Sequence, residues 1–297
     1  MEYLIIDAHA HLWERQNTTV DGQPIYSLQD NPSRSMFFGE EVQMLPPFMI
    51  DGRNTAEVFI SNMDYAQVSA AVIVQEVIDG NQDQYLAKVQ KQYPNRFLCC
   101  GLMTGVITPG TSLQFEAYAM PGHRITTPLN SDEMMKTFKL LEQEGKYLDM
   151  CLADDERQIK QFDEVLTECP RLKVAIGHFG MVTTPNWKNQ IMLARHPNVM
   201  IESGGITWLY NSEFYPYPSA VRNILEASDM VGIEKLMWGS DYPRTITAIT
   251  YKMSYDFICK SDVMTTEQKS LFLGRNAERF YGLRDLVSLP YIKNMSE

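Results

Sequence analysis

Tyr3-Leu4-Ile5-Ile6-Asp7-Ala8-His9-Ala10-His11 is the stretch on which the reading of this chain turns. Its first four residues form an uninterrupted apolar run, as expected of a strand buried on both faces. Two histidines one residue apart follow. Side chains of an extended chain alternate with period two, so His9 and His11 point to the same side. Two imidazoles at the mouth of a buried strand can share one metal ion. An H-x-H pair is a weak signal alone and gains weight only if other strand ends supply further ligands.

Outward from this stretch, apolar runs recur with helical segments between them. The expected strands are Tyr3–Asp7, Ala70–Gln75, Phe97–Met103, Gly122–Thr126, Tyr147–Leu152, Leu172–His178, Val199–Ser203 and Lys235–Ser240. Helices are expected over 55–67, 82–93, 131–145, 155–168, 187–195, 217–228 and 246–260, with two short ones between Thr265 and Leu283. Ser131-Asp132-Glu133 has the cap and acidic first turn of a helix start. Eight strands alternating with helices predict an α/β fold, a distorted (β/α)8 TIM barrel occupying the chain as one domain, residues 1–297. Residues 14–54 and 104–121 interrupt the rhythm. The first lies between strand one and its helix and is expected to cover the mouth.

Composition excludes several classes. A net charge of −11 without a Lys/Arg run argues against nucleic acid and anionic membrane surfaces as partners. No apolar stretch nears the roughly 20 residues that span a bilayer, and the start does not read as a signal peptide. The five cysteines are odd in number and form no Cys-x-x-Cys, which fits reduced thiols and a cytoplasmic setting. A small-molecule substrate is the expected partner. Oligomeric state is open, a homodimer being a common outcome.

In such a barrel the chemistry sits where strands end. Strand one gives His9 and His11, strand four Arg124, strand six His178 and strand eight Asp241. Three histidines and a carboxylate suit one divalent ion, Zn²⁺ or Mn²⁺. Asp241 precedes Tyr242-Pro243, a common turn context, yet an unpaired carboxylate after a buried strand would be costly. Arg124 reads as a substrate anchor or as a structural ion pair, and Arg244 as a second anchor or a surface residue. His123 and His196 read as structural; Cys151, near the end of strand five where a ligand could sit, reads as a core thiol. Trp13, Trp208 and Tyr210 are aromatic candidates to pack on a bound substrate or to line the rim.

These motifs together resemble the amidohydrolase superfamily, specifically the amidohydrolase-related branch that holds decarboxylases and sugar-lactone hydrolases of the fuconolactonase and rhamnonolactonase kind. The resemblance is carried by Ile6-Asp7-Ala8-His9-Ala10-His11-Leu12-Trp13, Ile176-Gly177-His178-Phe179-Gly180, Trp238-Gly239-Ser240-Asp241-Tyr242-Pro243 and Asn276-Ala277-Glu278-Arg279-Phe280-Tyr281-Gly282-Leu283. It implies that His9, His11, His178 and Asp241 surround one metal ion, zinc or manganese, with Asp241 and His178 catalytic and Arg124, Trp13 and Arg244 binding substrate. Many relatives carry a further histidine at the end of strand five. Here that segment reads Tyr147-Leu148-Asp149-Met150-Cys151-Leu152-Ala153-Asp154, with neither histidine nor a lysine to form a bridging carbamate. The departure argues against a binuclear site, resembles lactonase members, and leaves a metal-free mechanism open. The expected activity is lactone hydrolysis by metal- or Asp241-activated water. The alternative is metal-dependent non-oxidative decarboxylation of an aromatic or muconate-like acid. A non-catalytic binding protein is opposed by the retained polar set.

Overall fold

The computed structural model of the chain describes residues 3–107, 113–293 and 295. Twelve strands fall into two sheets. The larger is parallel: β1 (Ile6–Ala10), β6 (Ala70–Ile73), β7 (Phe97–Leu102), β8 (Ala117–Met120), β9 (Tyr147–Met150), β10 (Lys173–Ile176), β11 (Val199–Glu202) and β12 (Leu236–Met237), hydrogen-bonded in that order. The smaller is antiparallel: β2 (Asn17–Val20), β3 (Gln23–Ser27), β4 (Arg34–Phe37) and β5 (Glu40–Gln43).

The ring closes between β12 and β1. The Ala8 N–H donates to the Trp238 carbonyl at 2.9 Å, and the Asp241 N–H donates to the His9 carbonyl at 2.8 Å. Asp7 fastens the same seam, accepting from the Ser240 N–H at 2.8 Å and the Tyr251 hydroxyl at 2.7 Å. Burial pushes its pKa up to about 7 against the pull of these donors. Helices on the outside bury one face each; in Glu156–Glu168 these are Gln158, Ile159, Phe162, Val165 and Leu166. A second apolar cluster joins small side chains from opposite strands, among them Ala8, Ala70, Ala117 and Ala175, with Ala277 and Tyr281 from the C-terminal helix. Such residues can meet only inside a closed ring, so this cluster fills the barrel axis.

The C-terminal segment seals the end of the barrel away from the histidines. Asn276 Nδ2 donates to the carbonyls of Ile233 and Leu236, each at 2.8 Å, where the two-residue β12 leaves its neighbourhood short of ladder bonds. Gly274 lies against β1 so closely that a Cβ there would meet the Leu4 carbonyl oxygen at 2.3 Å.

Two expectations change. Residues 122–126 are not the fourth strand: that strand is β8, and Gly122–Arg124 is a 3-10 turn after it. Pro121 has no N–H for the ladder and ends the strand. The insertion read over 104–121 therefore contains a barrel strand, and its residues 108–112 lie outside the described residues. Residues 14–54 are not irregular but build the β2–β5 sheet. The β2–β3 hairpin turns at Asp21-Gly22, both with positive φ (51° and 76°), as a two-residue hairpin turn requires. Among the described residues no helix is long and apolar enough to cross a membrane.

Replacing Asn276 with Ala strips two buried carbonyls of their donor. Stability should fall by about 1–3 kcal/mol, read as a lower denaturation midpoint with unchanged slope.

Candidate metal centre and cavity

The carboxyl ends of the strands surround a cavity of about 400 Å³. His11 and Asp241 line it with His178, Arg124, Arg244 and Trp208; Phe37 enters from the β2–β5 sheet, as expected of a cover over the mouth. His9, at the end of β1, lies beneath, 1% exposed.

Donor atoms of His9, His11 and Asp241 all lie within 4.8 Å of one another. The His9 and His11 Nε2 atoms are 3.1 Å apart, and His11 Nε2 is 2.9 Å from Asp241 Oδ1. His178 stands beside them, its ring centroid 4.6 Å from that of His9. The outer nitrogens settle which inner atoms carry lone pairs. His11 Nδ1 is 3.0 Å from the Val74 carbonyl oxygen and His178 Nδ1 is 2.9 Å from that of Gly204. A carbonyl can only accept, so each Nδ1 holds the hydrogen. His9 Nδ1 donates likewise to Glu202 Oε1 at 3.0 Å. Neutral rings so oriented bring bare Nε2 lone pairs against one another and against a carboxylate, a contact that requires a cation between them. Burial drives the His9 pKa down to about 4 and lowers that of His178, where His9 adds to the effect. Protons are therefore poor candidates at these two rings. Imidazole lone pairs plus one carboxylate are the donor set of zinc or manganese, and the residues fit a divalent ion.

Asp241 is pinned from both sides. Its Oδ2 accepts from Trp208 Nε1 at 2.7 Å, and Arg244 Nη1 is 3.6 Å from its Oδ1. Burial would raise its pKa, but the Arg244 charge beside it helps to hold it well below the usual carboxylate range. Its backbone has φ of 58°, and His178 and Phe179 each have 52°, a left-handed region costly for residues with a Cβ. The His178 N–H donation to Glu202 Oε1, at 2.7 Å, holds the second of these turns.

Glu202, buried at the end of β11, was not expected from the sequence. It accepts from His9, from the His178 N–H and from the Gly204 N–H. Burial pushes its pKa up to about 7. Asp149 of β9 lies close by; burial and the Glu202 charge raise its pKa well above the ordinary value, and its Oδ2 has no hydrogen-bond partner among the described residues. With three donors aimed at it, Glu202 is the better placed of the two acids to hold negative charge. Both acids interrupt otherwise apolar strands, Val199-Met200-Ile201-Glu202 and Tyr147-Leu148-Asp149-Met150, and that interruption was the available signal.

The remaining site residues divide. Arg244 belongs to the cavity wall: its Nη2 donates to both oxygens of Asp79, at 2.8 and 3.0 Å. Arg124 also lines the cavity and donates to Asp21 Oδ2 at 3.0 Å, under the β2–β3 turn. Trp13 is a correction. It is fully buried, donates to the Gly52 carbonyl and sits beneath Arg244, because the chain at Asn54 folds back onto it. It therefore cannot stack on a substrate ring. Tyr210 accepts from Asn223 outside the cavity, and His196 pairs with Asp163 at a helix end. His123 and Cys151, read as structural and as a core thiol, instead line the cavity together with Glu76, which the sequence reading missed at the end of β6.

A parallel barrel with a histidine- and carboxylate-lined mouth defines a class of metal-dependent enzyme folds. The chain belongs to the Amidohydrolase family, which it matches over residues 6–283. No curated protein matches it. Among solved structures it is similar to a probable 2-pyrone-4,6-dicarboxylic acid hydrolase from Acinetobacter baumannii with citric acid bound (18% identity, TM-score 0.66, covering 94% of this chain and 99% of that one). It is also similar to a zinc-bound amidohydrolase from Burkholderia multivorans (16% identity, TM-score 0.66, 95% and 100%). A third is 5-carboxyvanillate decarboxylase from Novosphingobium aromaticivorans with bound manganese and a nitrobenzoic acid (16% identity, TM-score 0.62, 95% and 97%). At these identities the likeness is one of fold.

Glu202→Gln should weaken the divalent ion at His9 and His11 by roughly 10–100-fold, the usual cost of losing an outer hydrogen-bond partner of a ligating histidine. Competition against a chelator of known affinity measures it; unchanged affinity would mean that no ion sits there.

Proposed function

We propose that the protein hydrolyses a small lactone, of the sugar-acid kind or a related carboxylated ring. The observation that carries this reading is Asp241: an ionised carboxylate on the cavity wall, fixed by Trp208 on one oxygen and facing His11 with the other. A carboxylate so held takes a proton from a water placed between it and a bound ester carbonyl. The resulting hydroxide adds to the carbonyl carbon, the carbon–oxygen ring bond breaks, and Asp241 returns the proton to the leaving alkoxide. Arg124 and Arg244 offer guanidinium forks for a substrate carboxylate or hydroxyl. Because Asp241 is held so acidic, it is a weak base toward ordinary water. A divalent ion held by His9, His11, His178 and Asp241 supplies the missing chemistry when bound, acidifying water and polarising the carbonyl. The reaction named for the Acinetobacter baumannii protein is of the same type, which agrees with the reading as analogy of fold.

Decarboxylation of an aromatic or muconate-like acid is the second reading. The apolar side chains of Phe37, Ile78, Leu152 and Met181 on the cavity wall favour it, since they suit a flat ring.

Two measurements test these. Proton release in weak buffer against a panel of sugar-acid lactones should show rapid acidification with one or a few, and ¹⁸O from solvent should enter the product. Carbon dioxide release without ¹⁸O uptake would replace the lactonase reading with the decarboxylase. Asp241→Asn should lose about 10²–10⁴-fold in kcat, the span of a general base, with the fold intact by circular dichroism. Near-normal turnover would remove Asp241 from its role.

A further inference from the structure

A second set of donors lines the same cavity and has no part in the chemistry above. Glu76 leaves the end of β6, His123 lies in the turn after β8, and Cys151 follows β9. One donor atom from each lies within 4.8 Å of the other two. Two of the three are locked together by the main chain, where the His123 N–H donates to the Cys151 carbonyl at 2.9 Å. His123 Nδ1 is 3.4 Å from that same oxygen. Since the oxygen can only accept, the ring hydrogen belongs on Nδ1 and the lone pair on Nε2, the arrangement found at the first centre. Glu76 is half-buried on the cavity wall, where its carboxylate keeps only part of its solvation. A cation held between the three donors would compensate that loss.

We propose that Glu76, His123 and Cys151 form a second metal site, separate from the His9–His11–Asp241 centre, and that its ion is Zn²⁺. Thiolate and imidazole are borderline-soft donors that favour zinc over magnesium or calcium, and over manganese. The thiolate and the carboxylate together balance the charge of a divalent ion. Binding breaks the Cys151 S–H bond, releases that proton to solvent and forms a sulfur–zinc bond through the electron pair left behind; nothing is oxidised or reduced. Three protein donors would leave a tetrahedral ion one further position, open to an anionic or hydroxyl group of a molecule bound in the cavity.

Cobalt tests this, because the two centres differ in one respect: only the second contains sulfur. The metal-stripped full-length protein is titrated with Co²⁺ and followed by absorbance. A thiolate-to-cobalt charge-transfer band in the near-ultraviolet is expected in the wild type, and Cys151→Ser should lack it while keeping the weaker visible bands of the first centre. His123→Ala should weaken the band's midpoint by at least the roughly 10–100-fold that an outer-shell loss costs. A wild type without the band at saturating cobalt, or a band that survives in Cys151→Ser, overturns the proposal. Should either variant fail to fold, the wild type still decides. Added Zn²⁺ should shield Cys151 from alkylation, mapped by peptide mass, and a chelator should restore it. Alkylation of Cys151 at the same rate with and without zinc would refute the site.

Discussion

One buried anion organises the mouth of this barrel. The Glu202 carboxylate sits inside the ring, buried away from bulk solvent, and takes its stability from three donors: the His9 ring, the His178 amide and the Gly204 amide. Each donor is a part of the site. The first fixes the tautomer of His9, the second holds the left-handed turn that presents His178, and the third ties down the loop whose carbonyl orients the His178 ring. Space is as tightly used as charge. A Cβ at Gly204 would come within 2.8 Å of the His9 ring, and one at Gly239 within 2.7 Å of Glu202 Oε2. The glycines in Ser203-Gly204 and Trp238-Gly239-Ser240 are there because a strand-end histidine and its acid partner occupy the volume a side chain would need.

The same reasoning explains what could be read in the sequence. His9, His11, His178 and Asp241 were legible because each ends an apolar run, and a charged or ligating residue at such a place stands out. The order of the strands followed from the same runs. Glu202 and Asp149 were harder to see, although they also break apolar strands, because a single acid in a four-residue strand is easily taken for its end. The fourth strand was misplaced for a local reason: Ala117-Tyr118-Ala119-Met120 is short, half of it alanine, and its stop signal, Pro121, lay inside a segment read as loop. The antiparallel sheet was announced by Asp21-Gly22, a hairpin signal overshadowed by the polar residues around it. Which way Trp13 and Cys151 face depends on the packing of distant segments, and no local pattern carries that information.

Charge balance joins the fold to the chemistry. Arg244 is held by Asp79 and lies near Asp241, so two carboxylates share one guanidinium beside the cavity before any ion or substrate arrives. Glu202 adds a further negative charge below. A surplus of buried negative charge in a low-dielectric mouth is unfavourable by itself and becomes favourable once a cation fills it.

The β2–β5 sheet leaves and rejoins the barrel at nearly one point. Trp13 and Asn54 exchange a pair of backbone hydrogen bonds, at 2.9 and 3.0 Å, so about forty residues begin and end side by side. Lengthening a loop whose ends are already joined adds little entropy cost. The sheet nevertheless brings Phe37 to the cavity and Asp21 to Arg124. Evolution can therefore redesign the roof over the reaction chamber as a cassette, exchanging or resizing it while the strands, glycines and histidines beneath stay fixed, and new substrate ranges become accessible without reopening the problem of folding the barrel.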